Sequence, residues 1–384
     1  MDTKVLMHGN IPAAVINISQ NRIIGYSSVL NRDHLPVGTY SDNQTTQRLL
    51  LDAWVKGRCI PNGRPGMSNI YNKLGLDYGD LFIKSAAVSL TDKYWIKNKD
   101  DSLTWEDVNF HDNGFEPVIG NFLSGIDQSF VPSPDFTTDG MMPKFWMLQA
   151  GVPFLVKIDN EFNGVMSANE VFVSKIAECF HIDHVPYIHN EFMGKHVCSC
   201  PCFIQNKDDE YINALQLSHE KLGRTGEVLY HYIKEDLNLR ESFDKMVFLD
   251  CLINNVDRHE KNYGIIKKDI SEIYFAPVFD SGSCLGYSNK TGDKRFEYEL
   301  KTPKNKRREE IIPNLSFIHE IDKSYFVSLL EETYEIFDIP ESQFLIAKQE
   351  LLSGCKYIEE EYCKRYPNVL IQKENETDEI DLEK

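Results

Sequence analysis

Apolar and polar residues change their spacing several times along this chain, and each change predicts an element. AAVINIS (13–19) and RIIGYSSVL (22–30) sit between the turn formers GNIP and SQN and predict a strand pair. TTQRLLLDAWVKG (45–57) switches to helical spacing and is closed by Pro61, Gly63, Pro65 and Gly66. MSNIYNKLGL and GDLFIKSAAVSL predict two short helices, whereas KNKDDSLTWEDVNFHDNGF (97–115) is polar and rich in turn formers.

From about residue 130 the texture becomes strand-rich. SPDFTTDGMMPKFWMLQ, then AG, then VPFLVKID predicts a loop, a strand, a tight turn and a second strand. A helix follows at SANEVFVSKIAECFHI, where Val173, Ile176, Ala177 and Phe180 recur at helical spacing. YIHNEF, a turn at Met193-Gly194-Lys195 and a strand through HVCSCPCF complete a small sheet carrying one helix.

After residue 210 helices dominate. LSHEKLGRTGEVLYHYIKED (217–236) and RESFDKMVFLDCLINN (240–255) come first, the second burying Phe243, Met246, Val247, Leu249 and Ile253. YGIIKK and EIYFAPVFD predict a hairpin, and two more helices lie around 317–337 and 341–366. The expected organisation is an N-terminal regulatory or partner-binding region (1–125), a β-rich lobe (126–209), a helical lobe (210–372) and an acidic disordered tail (373–384).

Composition narrows the function classes. A chain of 384 residues exceeds one simple core, and 42% hydrophobic with 26% charged residues is ordinary for a globular protein. It has no apolar run of about 18 residues and a poor N-terminal signal peptide, so no membrane span is expected and the cytoplasm is the expected location. The net charge of −18 repels a phosphate backbone, so no direct nucleic-acid binding is expected. Nine cysteines, an odd number, do not describe a disulfide framework. Cys198, Cys200 and Cys202 alternate, as small buried side chains on one strand face would; a zinc site would need CxxC pairs and a fourth ligand.

A β-rich lobe with one helix followed by a helical lobe is the plan of a protein kinase, and the polar cluster NNVDRHEKNYG (254–264) is placed where such a protein does its chemistry. Phosphoryl transfer requires a cation on the nucleotide phosphates, oxygen ligands for Mg²⁺, and a carboxylate to accept the hydroxyl proton. Asp257 and Asn262 have the D-x-x-x-x-N spacing of a catalytic loop, although the same residues suit a solvated helix-ending turn. FDSGS (279–283) follows one hairpin later, with Asp280 and Gly282 in the order of a D-F-G metal motif and Ser281 in place of the aromatic. Lys157 stands alone among apolar strand positions, where an unpartnered charge is costly. Glu170 is its candidate carboxylate, while Ser167-Ala-Asn-Glu170 also reads as a capping box.

TTDGMMPK has a single glycine, Gly140, and fails G-x-G-x-x-G; position alone gives Thr137 to Met142, with Thr138 and Gly140, a phosphate-covering role. Lys144 is either a second phosphate contact or an exposed strand start. His259 lacks an identifiable nucleophile and reads as a structural imidazole, and KTPKNKRR (301–308) as a solvated basic loop.

With these residues assembled, the chain resembles the HipA-like bacterial serine/threonine kinases over roughly residues 130–370, through NNVDRHEKNYG, VFDSGS, PKFWMLQAGVPFLVKI and NEVFVSKIAECF. The resemblance implies an α+β, bilobal atypical protein-kinase-like fold preceded by a separate mixed N-terminal segment. It also implies ATP and Mg²⁺ as cofactors, Asp257 as catalytic base, Asn262 and Asp280 as Mg²⁺ ligands, and Lys157 as the ATP phosphate contact. It further implies a protein substrate, a toxin role within a toxin–antitoxin module, and a small DNA-binding antitoxin as partner. In place of the loop serine that such kinases autophosphorylate, Asp139 stands beside Gly140, with Thr137 and Thr138 the nearest hydroxyls. Two alternatives remain open: a small-molecule phosphotransferase of antibiotic type, and a catalytically silent nucleotide-binding scaffold.

Overall fold

The computed structural model describes residues 2–20, 22–61, 63–220, 236–269, 272–288 and 321–365. The basic run 301–308, residues 317–320 of the predicted late helix, most of 217–236 and the acidic tail lie outside the described residues.

The N-terminal segment is built on β1 (Asp2–His8), β2 (Ile11–Ser19), β3 (Arg22–Val29) and β4 (Tyr94–Lys97), antiparallel in the order β3-β2-β1-β4. The predicted pair is β2–β3. β1 and β4 do not alternate, because Val5 to His8 and Tyr94 to Ile96 are buried on both faces. Such strands read as short apolar runs without a period. Helices α1 (Gln44–Lys56) and α2 (Met67–Leu74) follow the predicted spans, whereas α3 (Tyr78–Lys84) stops short of the predicted stretch to Leu90, because Ala86 and Ala87 take positive φ. The polar stretch 97–115 holds two single-turn helices, α4 (Trp105–Val108) and α5 (Phe110–Asn113), and α6 (Val118–Leu123) comes after it.

The β-rich lobe is the sheet β5-β6-β8-β7, made from β5 (Lys144–Gln149), β6 (Val152–Lys157), β7 (Ile188–Phe192) and β8 (Lys195–Pro201). Helix α7 (Val165–Cys179) packs on it, with Phe172, Ile176 and Ala177 fully buried. Cys198 and Cys200 lie buried in β8, and Cys202 is buried just beyond it.

The helical lobe comprises β9 (Glu210–Asn213), α8 (Ala214–Glu220), α9 (Leu237–Ile253), the hairpin of β10 (Gly264–Asp269) and β11 (Glu272–Phe275), α10 (Lys323–Ile336) and α11 (Glu341–Arg365). Every predicted stripe residue of α9 is buried. Phe180 and Phe172 of the α7 region share a core with Phe248, Phe326, Leu330 and Leu351, so α7 is clamped between the lobes.

Residues 1–125 share apolar clusters with the β-rich lobe. Trp95 and Trp105 pack with Trp146, and Ile119 and Phe122 pack with Phe145 and Val156. The buried carboxylate of Asp135 joins the two, accepting from Trp146 N at 2.6 Å and Ile119 N at 2.8 Å. Burial raises its pKa to about 7, against the opposing pull of those two amides. The loop leading into β5 is thereby anchored on both sides. Among the described residues no helix is long and apolar enough to cross a membrane.

Candidate active site

Three elements meet at Lys157, the last residue of β6. Its Nζ lies 2.5 Å from Glu170 Oε1 on α7 and 2.7 Å from Asp280 Oδ1, beyond β11. Lys157 and Glu170 are nearly fully buried, while Asp280 is half-buried. Burial alone would lower the lysine pKa, but Asp280 and Glu170 outweigh it and hold the ammonium charged well above its ordinary value. Burial pushes Asp280 up, and Lys157 followed by Lys144 reverses this and holds its carboxyl well below the usual carboxylate range.

The capping-box alternative for Glu170 does not hold. Helix α7 starts at Val165 after Gly164, so Ser167 is already inside it, and Asp159 accepts the Met166 amide instead. Glu170 is free to face the strand, and its second oxygen accepts Ser281 N at 2.9 Å. Gly282 fits because a Cβ there would stand 2.7 Å from Met166 O, backbone that cannot yield. Asn169 completes this seam, donating to Gly282 O and Cys284 O while accepting from Tyr334 Oη.

Helix α9 ends at Asn254 with φ +50°, and the chain turns into the catalytic-loop candidate. Asp257 N donates to Asn255 Oδ1 at 3.0 Å, and Asn262 Nδ2 donates to Asp257 O at 3.2 Å. The second contact closes the D-x-x-x-x-N loop on itself and leaves Asn262 Oδ1 as its oxygen donor. The Asp257 side chain is open to solvent, yet the surrounding protein raises its pKa. The Asp280 charge adds to that rise; His259 and Arg258 pull the other way.

Arg258, read from sequence only as a supporting residue, fastens the two motifs together. Its fully buried side chain grips both oxygens of Asp250 at 3.1 Å, and donates to Asn262 O, Phe279 O and Ser281 Oγ. Asp257, Asn262 and Asp280 are thus referred to one guanidinium. His259 is exposed, and its Nδ1 accepts Lys261 N at 3.3 Å, within the loop.

The nucleotide-loop candidate is held by partners far away in sequence. Thr138 is buried, its hydroxyl donating to Asp135 O and accepting from Arg64, and its carbonyl accepts from the same guanidinium. Thr137 Oγ1 is shared between Val88 O and Pro134 O. Gly140 has φ +87°, and a Cβ there would lie 2.7 Å from Lys144 Nζ. Lys144 is buried, correcting the alternative of an exposed strand start; burial lowers its pKa to about 8 against the pull of Asp280. Lys261 Nζ reaches across from the catalytic-loop candidate to Asp139 Oδ2 at 2.7 Å. Arg64, Asp135 and Lys261 carried no motif, and only their unexplained polarity in turn-rich stretches hinted at roles.

Asp280 and Asn262 supply hard oxygen donors of the kind Mg²⁺ takes. The positive φ of Asp280 (+56°) is a conformation that aspartate tolerates better than most side chains.

No family model matches the sequence. Over 108 residues, 24% of this chain, it is 33% identical to the serine/threonine-protein kinase CtkA of Helicobacter pylori; the match spans 33% of that relative's length. The fold is similar to that of HipA from Shewanella oneidensis MR-1, solved with HipB and operator DNA. The TM-score is 0.56 at 14% identity, covering 94% of this chain and 99% of that one. The crystal structure of Helicobacter pylori CtkA aligns with a TM-score of 0.47 at 18% identity, covering 59% of this chain and 95% of that one. The chain thus resembles the HipA-like bacterial kinases and has a bilobal, atypical kinase-like fold.

Proposed function

We propose that this chain is an ATP-dependent phosphotransferase that phosphorylates a serine or threonine hydroxyl of a protein. The observation that carries the proposal is the Lys157–Glu170–Asp280 cluster, tied through Arg258 to the loop bearing Asp257 and Asn262. Lys157 is charged at neutral pH and would hold the nucleotide phosphates. Asn262 and Asp280 would hold Mg²⁺, which when bound neutralises charge on the phosphoryl group.

In the proposed reaction the acceptor oxygen bonds to the γ-phosphorus as the bond to the β–γ bridging oxygen breaks. The hydroxyl proton passes to Asp257 and ADP leaves. We extend the reading to a protein partner of antitoxin type and a toxin role, supported by the likeness to HipA, which was solved with HipB. The protein acceptor is supported by the matched relative, a serine/threonine-protein kinase.

Incubation with Mg²⁺-ATP and protein acceptors, followed by phosphosite mass spectrometry, tests the proposal. Asp257→Ala should reduce incorporation by about 100-fold or more. Equal incorporation by wild type and variant would remove Asp257 as the base. Phosphorylation of an aminoglycoside-type alcohol with no protein phosphosite would move the acceptor to small molecules.

A further inference from the structure

Arg64 lies in the N-terminal segment, outside every motif, yet it is only 2% exposed. A buried guanidinium costs several kcal/mol unless its donors are met. Its partners are all in the nucleotide-loop candidate. Nε donates to Gly140 O (2.8 Å), Nη1 to Thr138 Oγ1 (2.8 Å), and Nη2 to Thr138 O (2.7 Å) and Asp139 O (2.9 Å). These bonds use most of the five donors a guanidinium offers. Among the described residues no carboxylate is within ion-pair distance of Arg64; its direct partners are hydrogen-bond acceptors, while the Asp139 and Asp135 charges act on it from further away.

The geometry has a directional consequence. In a trans peptide the N–H points opposite to the C=O. Gathering the carbonyls of Thr138, Asp139 and Gly140 on one guanidinium turns the amides of Asp139, Gly140 and Met141 away from it. Successive amides held in this way form an anion-binding concavity. The Gly140 amide already carries an anionic group, the Asp139 carboxylate, at 2.7 Å. The arginine is itself pre-set, its own amide donating to Pro61 O at 3.0 Å.

We infer that Arg64 is a positioning residue for nucleotide phosphates: it shapes the single-glycine loop 138–141 from outside, where a G-x-G-x-x-G loop would rely on its own glycines. The inference rests on the ATP-binding reading above. It makes the N-terminal segment a structural determinant of nucleotide affinity.

The test compares binding of ATP, ADP and adenosine by calorimetry to the full chain, as wild type and Arg64→Lys. The lysine keeps the charge but replaces only one or two of the hydrogen bonds. ATP and ADP dissociation constants should rise by about tenfold or more while adenosine stays within about twofold. A general packing defect would weaken all three together and overturn the inference, as would an unchanged ATP constant. If Arg64→Lys fails to fold, Thr138→Val removes one acceptor of Arg64 along with the hydroxyl's bond to Asp135 O, and should raise the ATP and ADP constants by about threefold with adenosine unchanged; no rise overturns the inference. Wild type that binds no ATP would instead sink the ATP-binding reading itself.

Discussion

Lys157 and Glu170 form a buried ion pair, 2.5 Å between Nζ and Oε1, and Asp280 shares the same ammonium at 2.7 Å. Strand β6, helix α7 and the exit of β11 therefore depend on one charge for their relative placement. Ser281 N closes the figure by donating to the second oxygen of Glu170. The arrangement is structural and chemical at once, because an arriving phosphate–metal group would compete for Lys157 and Asp280 while Glu170 keeps the lysine in place.

Removing the shared cation should be costly. Lys157→Met leaves the Glu170 carboxylate buried with only the Ser281 amide, a defect worth about 3–5 kcal/mol. Urea unfolding measures it, and phosphate incorporation should also fall by about 100-fold or more. Glu170→Gln should cost less, about 1.5–3 kcal/mol, because Asp280 still faces the ammonium. If Lys157→Met unfolds at the wild-type midpoint, the pair does not hold the lobe together.

A basic limb in nucleotide affinity should come from Lys144. Burial lowers its pKa to about 8, so it is cationic below that pH and loses its proton as pH rises through it. KM for ATP should be flat below about 8 and climb above it, and Lys144→Arg, charged throughout, should flatten the limb. At the acid end, Asp257 must be ionised to accept a proton. With its pKa raised, activity should begin to fall at a pH above that of an ordinary aspartate. A KM for ATP with the same pH profile in Lys144→Arg and wild type would exclude Lys144.

What was legible in the sequence was the part whose spacing is set locally. Asp257 and Asn262 are held by contacts inside one loop, and Asp280 and Gly282 sit one hairpin away, so order along the chain carried the signal. Lys157 was visible because a charge on an apolar strand demands a partner. Arg64 and Lys261 were not, since their partners are 74 to 76 and 122 residues distant. β9, with four residues, is too short to show a period. The N-terminal region differs in texture from the lobe it packs on, and only the clusters around Trp146 and Phe145 reveal the shared core.

Arg258 should be the most sensitive residue outside the reacting groups. It spans Asp250, Asn262, Phe279 and Ser281, and its planar fork grips Asp250 through two nitrogens. Arg258→Lys cannot reproduce that fork. Loss of about 3 kcal/mol in urea unfolding is expected, together with a fall in kcat larger than the change in KM for ATP, because the loops bearing the proposed base and metal ligands lose their common reference. A lysine variant with wild-type kcat would show that the two loops are fixed independently.

Gly282→Ala probes the seam between α7 and the Asp280 loop without removing a charge or a hydrogen bond. The added methyl would lie 2.7 Å from Met166 O and 3.2 Å from Glu170 Cγ. Backbone on one side and a buried, ion-paired side chain on the other leave little room to yield, so the Asp280 loop must move away from α7. A shift of this kind lengthens the Lys157–Asp280 and Ser281–Glu170 contacts together. Overpacking of this size costs about 1–3 kcal/mol. The expected signature is a modest drop in the unfolding midpoint with a loss of phosphate incorporation of about tenfold or more, since small misplacements at a reacting centre are amplified in rate. A drop in stability with full activity would show that the site tolerates the displaced Asp280 loop and would count against Asp280 as a metal ligand.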